Sequence, residues 1–257
     1  MIWDKGAVVE GRLRSVINGA EFSVLANDAG LRHLYDDDIV TRPVFCFGRP
    51  ATASHLTIGA NPSADDFRAG RWNAVGDLAD QSFSYFDRAL PHDYFMNWEA
   101  ALSPLGLSYH DGLAHADVSP RATKSLRAIN KLGDPAIDEF LAMARSDAAY
   151  LFGMLAIMWP QLRGLFVAGT ITKKQYLDAF LRSAGERHGF VLRRRSVFPG
   201  RAANPAACSK VYDVRFGGRS VPLFFCPVGA SADRPGDQKY FQSQVQDNAA
   251  HLRSVFL

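Results

Sequence analysis

Three short apolar runs stand out along the chain: His55-Leu56-Thr57-Ile58-Gly59, Leu165-Phe166-Val167-Ala168-Gly169 and Val221 to Val228. Each is four to eight residues long and stops at glycine or proline, the pattern of a strand buried on both faces. Asp111 to Val118 is a weaker strand candidate that runs into Ser119-Pro120-Arg121-Ala122-Thr123. Phe190 to Phe198 and Lys210 to Phe216 read as strands that bracket a loop rich in Gly, Pro and Asn. Between these runs the period changes from two to 3.6. Asp80 to Leu90 and Asp93 to Leu102 carry Phe83, Phe86 and Leu90, then Phe95, Trp98 and Leu102, at helical spacing. A long helix is predicted from about Ile137 to Trp159, stopped by Pro160, with further helices over Lys173 to Ala184 and Gln238 to Phe256. Residues 1 to about 50 suggest short strands and an outer helix. Alternating strands and helices imply a three-layer α/β/α sandwich around a mainly parallel central sheet, here of four or five strands.

At 257 residues and 47% hydrophobic content, the chain suits one domain spanning 1–257, with residues 1–50 as an extension packed on it. Its longest uncharged apolar stretch, Ala148 to Trp159, is short of a membrane span, and Met1-Ile2-Trp3-Asp4-Lys5-Gly6 lacks the form of a signal peptide. A cytoplasmic location without a membrane partner is therefore expected. Cys46, Cys208 and Cys226 are widely spaced and odd in number, which suits reduced structural thiols and is too few for an iron–sulfur cluster. The seven histidines form no metal-binding spacing, and no dinucleotide or phosphate-binding glycine loop occurs. No metal or cofactor is expected. His110 and His115, near the second strand end, could serve a pocket but read more simply as satisfied or exposed loop histidines. Net charge is only +3, but Arg187 to Arg219 holds eight basic residues against Asp213 alone. Such a stripe suits either a polyanion or a solvated strand face.

The most informative element is Gly59-Ala60-Asn61-Pro62-Ser63. Glycine allows a sharp turn and a close ligand approach, and proline stiffens the exit. Asn61 is thereby presented at a fixed place, with a carbonyl and an NH₂ to hold a water or a base edge. Gly-x-Asn-Pro-Ser after an apolar strand resembles the first motif of the uracil-DNA glycosylase superfamily, and its asparagine resembles the mismatch-specific, thymine-DNA glycosylase branch. Phe67-Arg68-Ala69-Gly70-Arg71-Trp72 is similar to the segment that follows in that branch, and Ala116 to Thr123 to its strand end and Arg-x-Thr turn. Cys226-Pro227-Val228-Gly229-Ala230-Ser231 stands where the second motif belongs. The main uracil enzymes carry histidine at the position of Cys226; the mismatch-specific branch lacks it too. Val228 and Gly229 replace polar residues usual in that loop.

The resemblance implies hydrolysis of the N-glycosidic bond of uracil or a mismatched or damaged base in DNA. Positive charge develops on the sugar and negative charge on the departing base. Asn61 would orient the attacking water, and backbone N–H groups near Gly59 and Ala60 would bond the base oxygen. The base must first leave the stack. Trp72 or Tyr85 would stack on it and Asp117 would join the base-binding set, while Gly229, Ala230 and Ser231 would wedge the vacated space. Arg193, Arg194 and Arg195 would meet phosphates of a duplex, and a monomer is expected. Two rival readings remain. One is a protein of the same fold that binds nucleic acid or a nucleobase without cutting. The other takes Gly229 to Asp233 as a serine nucleophile elbow, although its last glycine is absent. Asp247 and His251 would have to supply the acid and base, but they read more simply as a solvated helix face.

Overall fold

The computed structural model describes residues 5–19, 29–35, 44–62, 78–88, 92–198, 208–229 and 235–257. Nine strands are present among them: β1 (Cys46–Phe47), β2 (His55–Gly59), β3 (Leu113–Asp117), β4 (Gly164–Ala168), β5 (Thr170–Thr172), β6 (Gln175–Tyr176), β7 (Val191–Val197), β8 (Lys210–Phe216) and β9 (Arg219–Cys226). Seven of them form one sheet in the order β1-β3-β2-β4-β9-β8-β7. The central four, β3, β2, β4 and β9, are mutually parallel; β1, β8 and β7 add antiparallel edges. Helices cover both faces, and the fold is a three-layer α/β/α sandwich.

Side-chain alternation along the strands divides the core in two. Leu56, Ile58, Ala114, Ala116, Leu165, Val167, Leu223 and Phe225 point to one face, where the helices Lys5–Gly19, Asp134–Met158 and Leu177–Gly185 pack. Leu113, Phe166, Phe224 and Cys226 point to the other, against Asp93–Leu102, Pro235–Gln246 and Ala249–Phe256. Strand residues of like parity share a face, so Thr57 and Gly59 on β2, with His115 and Asp117 on β3, belong to this second side. β2 and β3 are buried throughout, β4 up to its last residue and β9 over its last four, Leu223 to Cys226, as a doubly covered parallel sheet requires.

Several predicted boundaries are corrected. The sheet has seven strands because two-residue β1 extends it on one edge and the β7–β8 hairpin on the other. The helix expected from Lys173 starts at Leu177, since β5 and β6 form a small antiparallel hairpin first. Gln238 to Phe256 is two helices, broken at Asp247-Asn248. Asp80 to Leu90 divides into Leu78–Phe83 and Tyr85–Arg88, and Leu90 lies outside the described residues. The long helix begins earlier than expected, at Asp134, behind Gly133 and with Pro135 in its first turn. By length and hydropathy this 25-residue helix is sufficient to cross a bilayer; 61% of its most apolar window is buried inside the protein.

Candidate active site

In an open α/β sheet, ligands bind outside the carboxyl ends of the parallel strands, where the strand order reverses. Here the first parallel strand, β2, has the second, β3, on one side and the third, β4, on the other. The crevice therefore falls at the carboxyl end of β2, which is Gly59-Ala60-Asn61. Because β9 runs parallel to β4 and β4 to β2, the loop led by Pro227 leaves from the same edge. Two strand spacings, about 10 Å, separate β2 from β9. The turn after β4 bridges part of that gap: Gly169 N–H donates to the Cys226 carbonyl at 2.8 Å. With φ at +84°, Gly169 also sits so close to Gly229 that a Cβ would approach its Cα to 2.9 Å.

Asn61 is half-buried and firmly oriented. Its Nδ2 donates to the Pro62 carbonyl and to Thr123 Oγ1, both at 2.9 Å. The carbonyl partner accepts only, which sets the amide with nitrogen inward. Oδ1 accepts no hydrogen bond from any described residue. Thr123 is held by the segment before it: Val118 and Ser119 N–H groups donate to the Gly59 and Ala60 carbonyls at 3.0 Å, carrying the β2–β3 pairing past the strand ends. Arg121 then makes a two-pronged pair with buried Asp147 of the long helix, Nε to Oδ2 at 2.8 Å and Nη2 to Oδ1 at 3.2 Å. Ser119 Oγ donates to the same carboxylate at 2.6 Å. Burial opposes the Arg121 charge, but Asp147, together with Tyr35, outweighs it and raises the guanidinium pKa. The Arg-x-Thr turn is thus pinned to the long helix and delivers Thr123 to Asn61.

Asp117 ends β3 at the same end of the sheet, with its side chain on the second side. It lies opposite Gly59 in register, and Gly59 must be glycine: a Cβ there would stand 2.2 Å from Asp117 Oδ1 and 3.1 Å from the Tyr94 hydroxyl. Asp117 is 5% exposed, and among the described residues His115 is its ion-pair neighbour, with Nε2 3.4 Å from Oδ1. No described residue donates to Oδ2. His115 Nδ1 is 2.8 Å from Thr57 Oγ1, which in turn is 2.7 Å from the Tyr109 hydroxyl. Phe47 stacks on the His115 ring at 5.7 Å, and Phe95 and Tyr94 meet its plane edge-on. Tyr85, half-buried, leans on Phe47 at 4.7 Å between ring centroids and so reaches the outer wall of this aromatic box. Burial first of all, with the Asp117 charge adding to it, pushes the Tyr94 phenol far above its ordinary value.

Of the predicted site residues, Gly59, Ala60, Asn61 and Asp117 are brought together, and Gly229 lies at the same sheet edge. Trp72, Ala230 and Ser231 lie outside the described residues. Arg193, Arg194 and Arg195 are exposed on β7, four strands and roughly 19 Å from β2. Arg195 meets Asp213 at 3.5 Å. Cys226 is fully buried, and desolvation pushes its thiol up to about 11 against the opposing Val228 N–H. Asp247 falls in the break between the last two helices, and the His251 ring packs edge-on to Phe198 at 5.4 Å. A groove of about 350 Å³, lined by Phe86, Met96, Glu99, Tyr109 and His110 among others, opens at the amino end of β3, away from the crevice. Among the described residues, no group of three or more His, Cys, Asp or Glu is placed to hold a metal.

No known protein-family model matches this sequence, and no curated protein does.

Thr57, Tyr94 and Tyr109 were not singled out in the sequence, and His115 was read as a satisfied or exposed loop histidine although it lies inside the strand candidate Asp111 to Val118. His115 is instead on β3, 2% exposed. One signal was available: His115 and Asp117 are two apart, so any strand there puts both on one face.

Proposed function

We propose that this protein is a DNA glycosylase that hydrolyses the N-glycosidic bond of uracil or a mismatched or damaged base extruded from a duplex. The observation that carries the reading is the orientation of Asn61. Its NH₂ is committed to Thr123 and Pro62, which leaves Oδ1 as an acceptor at the crevice. A water that donates one O–H to Oδ1 has its lone pair free to attack the sugar carbon as the glycosidic bond lengthens. Water's oxygen ends on the sugar, and its proton leaves to solvent or to the departing base. Asp117 Oδ2 serves as acceptor for a ring N–H of that base, beside the Gly59 backbone.

The same geometry sets a low rate. Asparagine is not a base, so the water is positioned without being deprotonated. Cys226, with its proton held to about pH 11, offers no cation to the departing base anion. Arg193 to Arg195 would contact phosphates roughly five to six nucleotides from the extruded one, given about 3.4 Å per nucleotide along a strand.

A duplex with one G·U or G·T pair tests the proposal. Release of free base that vanishes in Asn61→Ala and survives a change at the distant arginines supports it. The buried neutral Cys226 favours a second reading, in which the crevice binds a base without cleavage. Salt-sensitive binding with no base release by the parent protein would establish that one instead.

A further inference from the structure

Asp117 is nearly buried, yet one oxygen has a single long contact and the other has none among the described residues. What orients it lies behind the crevice. His115, Thr57 and Tyr109 form a continuous line of contacts of 3.4, 2.8 and 2.7 Å leading away from Asp117 into the core. All three are 4% exposed or less. None of them touches the reacting position proposed above.

Proton counting gives this line a direction. Tyr109 has one O–H, and Thr57 Oγ1 is its only hydrogen-bond partner among the described residues, so the phenol donates there. Thr57 then has one proton to place, with His115 Nδ1 at 2.8 Å and the Ala114 carbonyl at 3.3 Å as acceptors. The shorter contact takes it. His115 Nδ1 is therefore the unprotonated nitrogen, and Nε2 carries the hydrogen toward the Asp117 carboxylate. The opposite neutral tautomer would aim a lone pair at a carboxylate oxygen.

We infer that Tyr109, Thr57 and His115 are positioning residues that act in series, Tyr109 donating to Thr57 and Thr57 to His115 Nδ1, so that the ring presents its Nε2 side to Asp117 Oδ1 across a 3.4 Å contact and Oδ2 is turned to the base site. The use of that oxygen for a base rests on the function proposed above; the order of donors does not. A second shell of this kind fixes the tautomer of a histidine and the direction of its partner, much as carboxylate and carbonyl partners do for histidines at metal sites. Phe47, Phe95 and Tyr94 pack around the ring, which is 2% exposed, and among the described residues Thr57 is its hydrogen-bonding partner.

The experiment has two arms. In the first, long-range ¹⁵N–¹H NMR on the full chain reads the histidine tautomer directly. His115 in the parent protein is expected to carry its proton on Nε2 alone, and a proton on Nδ1, alone or in addition, overturns the inference. In the second, free uracil is titrated into the parent, Thr57→Val and Thr57→Ser. Valine keeps the shape and removes the hydroxyl; serine keeps the hydroxyl. Uracil binding is expected to weaken about tenfold in Thr57→Val and to stay within about twofold in Thr57→Ser. Equal binding by Thr57→Val and the parent overturns the inference. If the parent shows the Nε2 tautomer and binds no uracil, the glycosylase reading fails while the donor series is supported.

Discussion

Replacing Gly59 with alanine perturbs the proposed site through one atom. The added methyl would lie 2.2 Å from Asp117 Oδ1, whereas ordinary contact begins near 3.4 Å, so the carboxylate must retreat by about 1.2 Å. It cannot yield freely, because Asp117 is buried and Oδ1 is the oxygen facing His115 Nε2. Overpacking of this kind costs about 1–3 kcal/mol, and the loosened His115 contact places the expected loss near the top of that range. In a chain of this size that lowers the thermal midpoint by about 5–10 °C. The decisive assay is a double-mutant cycle by urea denaturation with Gly59→Ala, Asp117→Ala and the pair. Once the carboxylate is gone the methyl has room, so the double variant should lose less than the two single losses together, by about 1–3 kcal/mol. Strict additivity would refute the claim that Gly59 is glycine because Asp117 lies across it.

Other expected outcomes follow from the same geometry. Asp147→Ala removes the carboxylate partner of the buried Arg121 guanidinium and should cost about 3–5 kcal/mol in a urea titration; a loss below about 1 kcal/mol would show that the pair does not anchor the Thr123 turn. Burial lowers the His55 pKa below its ordinary 6.5, so the unfolded chain takes up a proton that the folded chain refuses, and stability should fall below about pH 6.5. Burial pushes Cys46 up to about 12 and Cys226 to about 11 from 9.0, so the folded chain keeps protons that the unfolded one releases. That stability is complete below pH 9 and lost as pH rises through 11 and 12. The urea midpoint should therefore be flat from about pH 6.5 to 9 and fall on both sides; a rise above pH 9 would contradict the burial of both thiols. Changing Arg193, Arg194 and Arg195 together to alanine should reduce the slope of log binding constant against log salt by about 2–3, at unchanged base preference; an unchanged slope would remove β7 from the DNA interface.

The central strands were legible because a strand buried on both faces announces itself: β2 has the ends that its apolar run predicts. Elements held by long-range pairing were not. Cys46–Phe47 is a strand only because Ala116 and His115 stand opposite it, and two residues carry no period. The hairpin at Thr170–Tyr176 hides in a polar stretch that reads equally well as the start of a helix. At the site, Gly59 and Asn61 were legible from local turn chemistry, whereas Thr57 and His115 meet through the register of β2 against β3, 58 positions apart in the chain. The basic stripe shows the converse limit. Its density is evident in the sequence, but its distance from Asn61 is set by the order of the strands between them.

Backbone amide shifts on titration with free uracil locate the base site residue by residue. The changes should gather at Gly59, Ala60, Asn61, Asp117 and Gly229, on one edge of the sheet. Changes confined to Met96, Glu99 and His110, around the groove at the opposite end of β3, would contradict that placement.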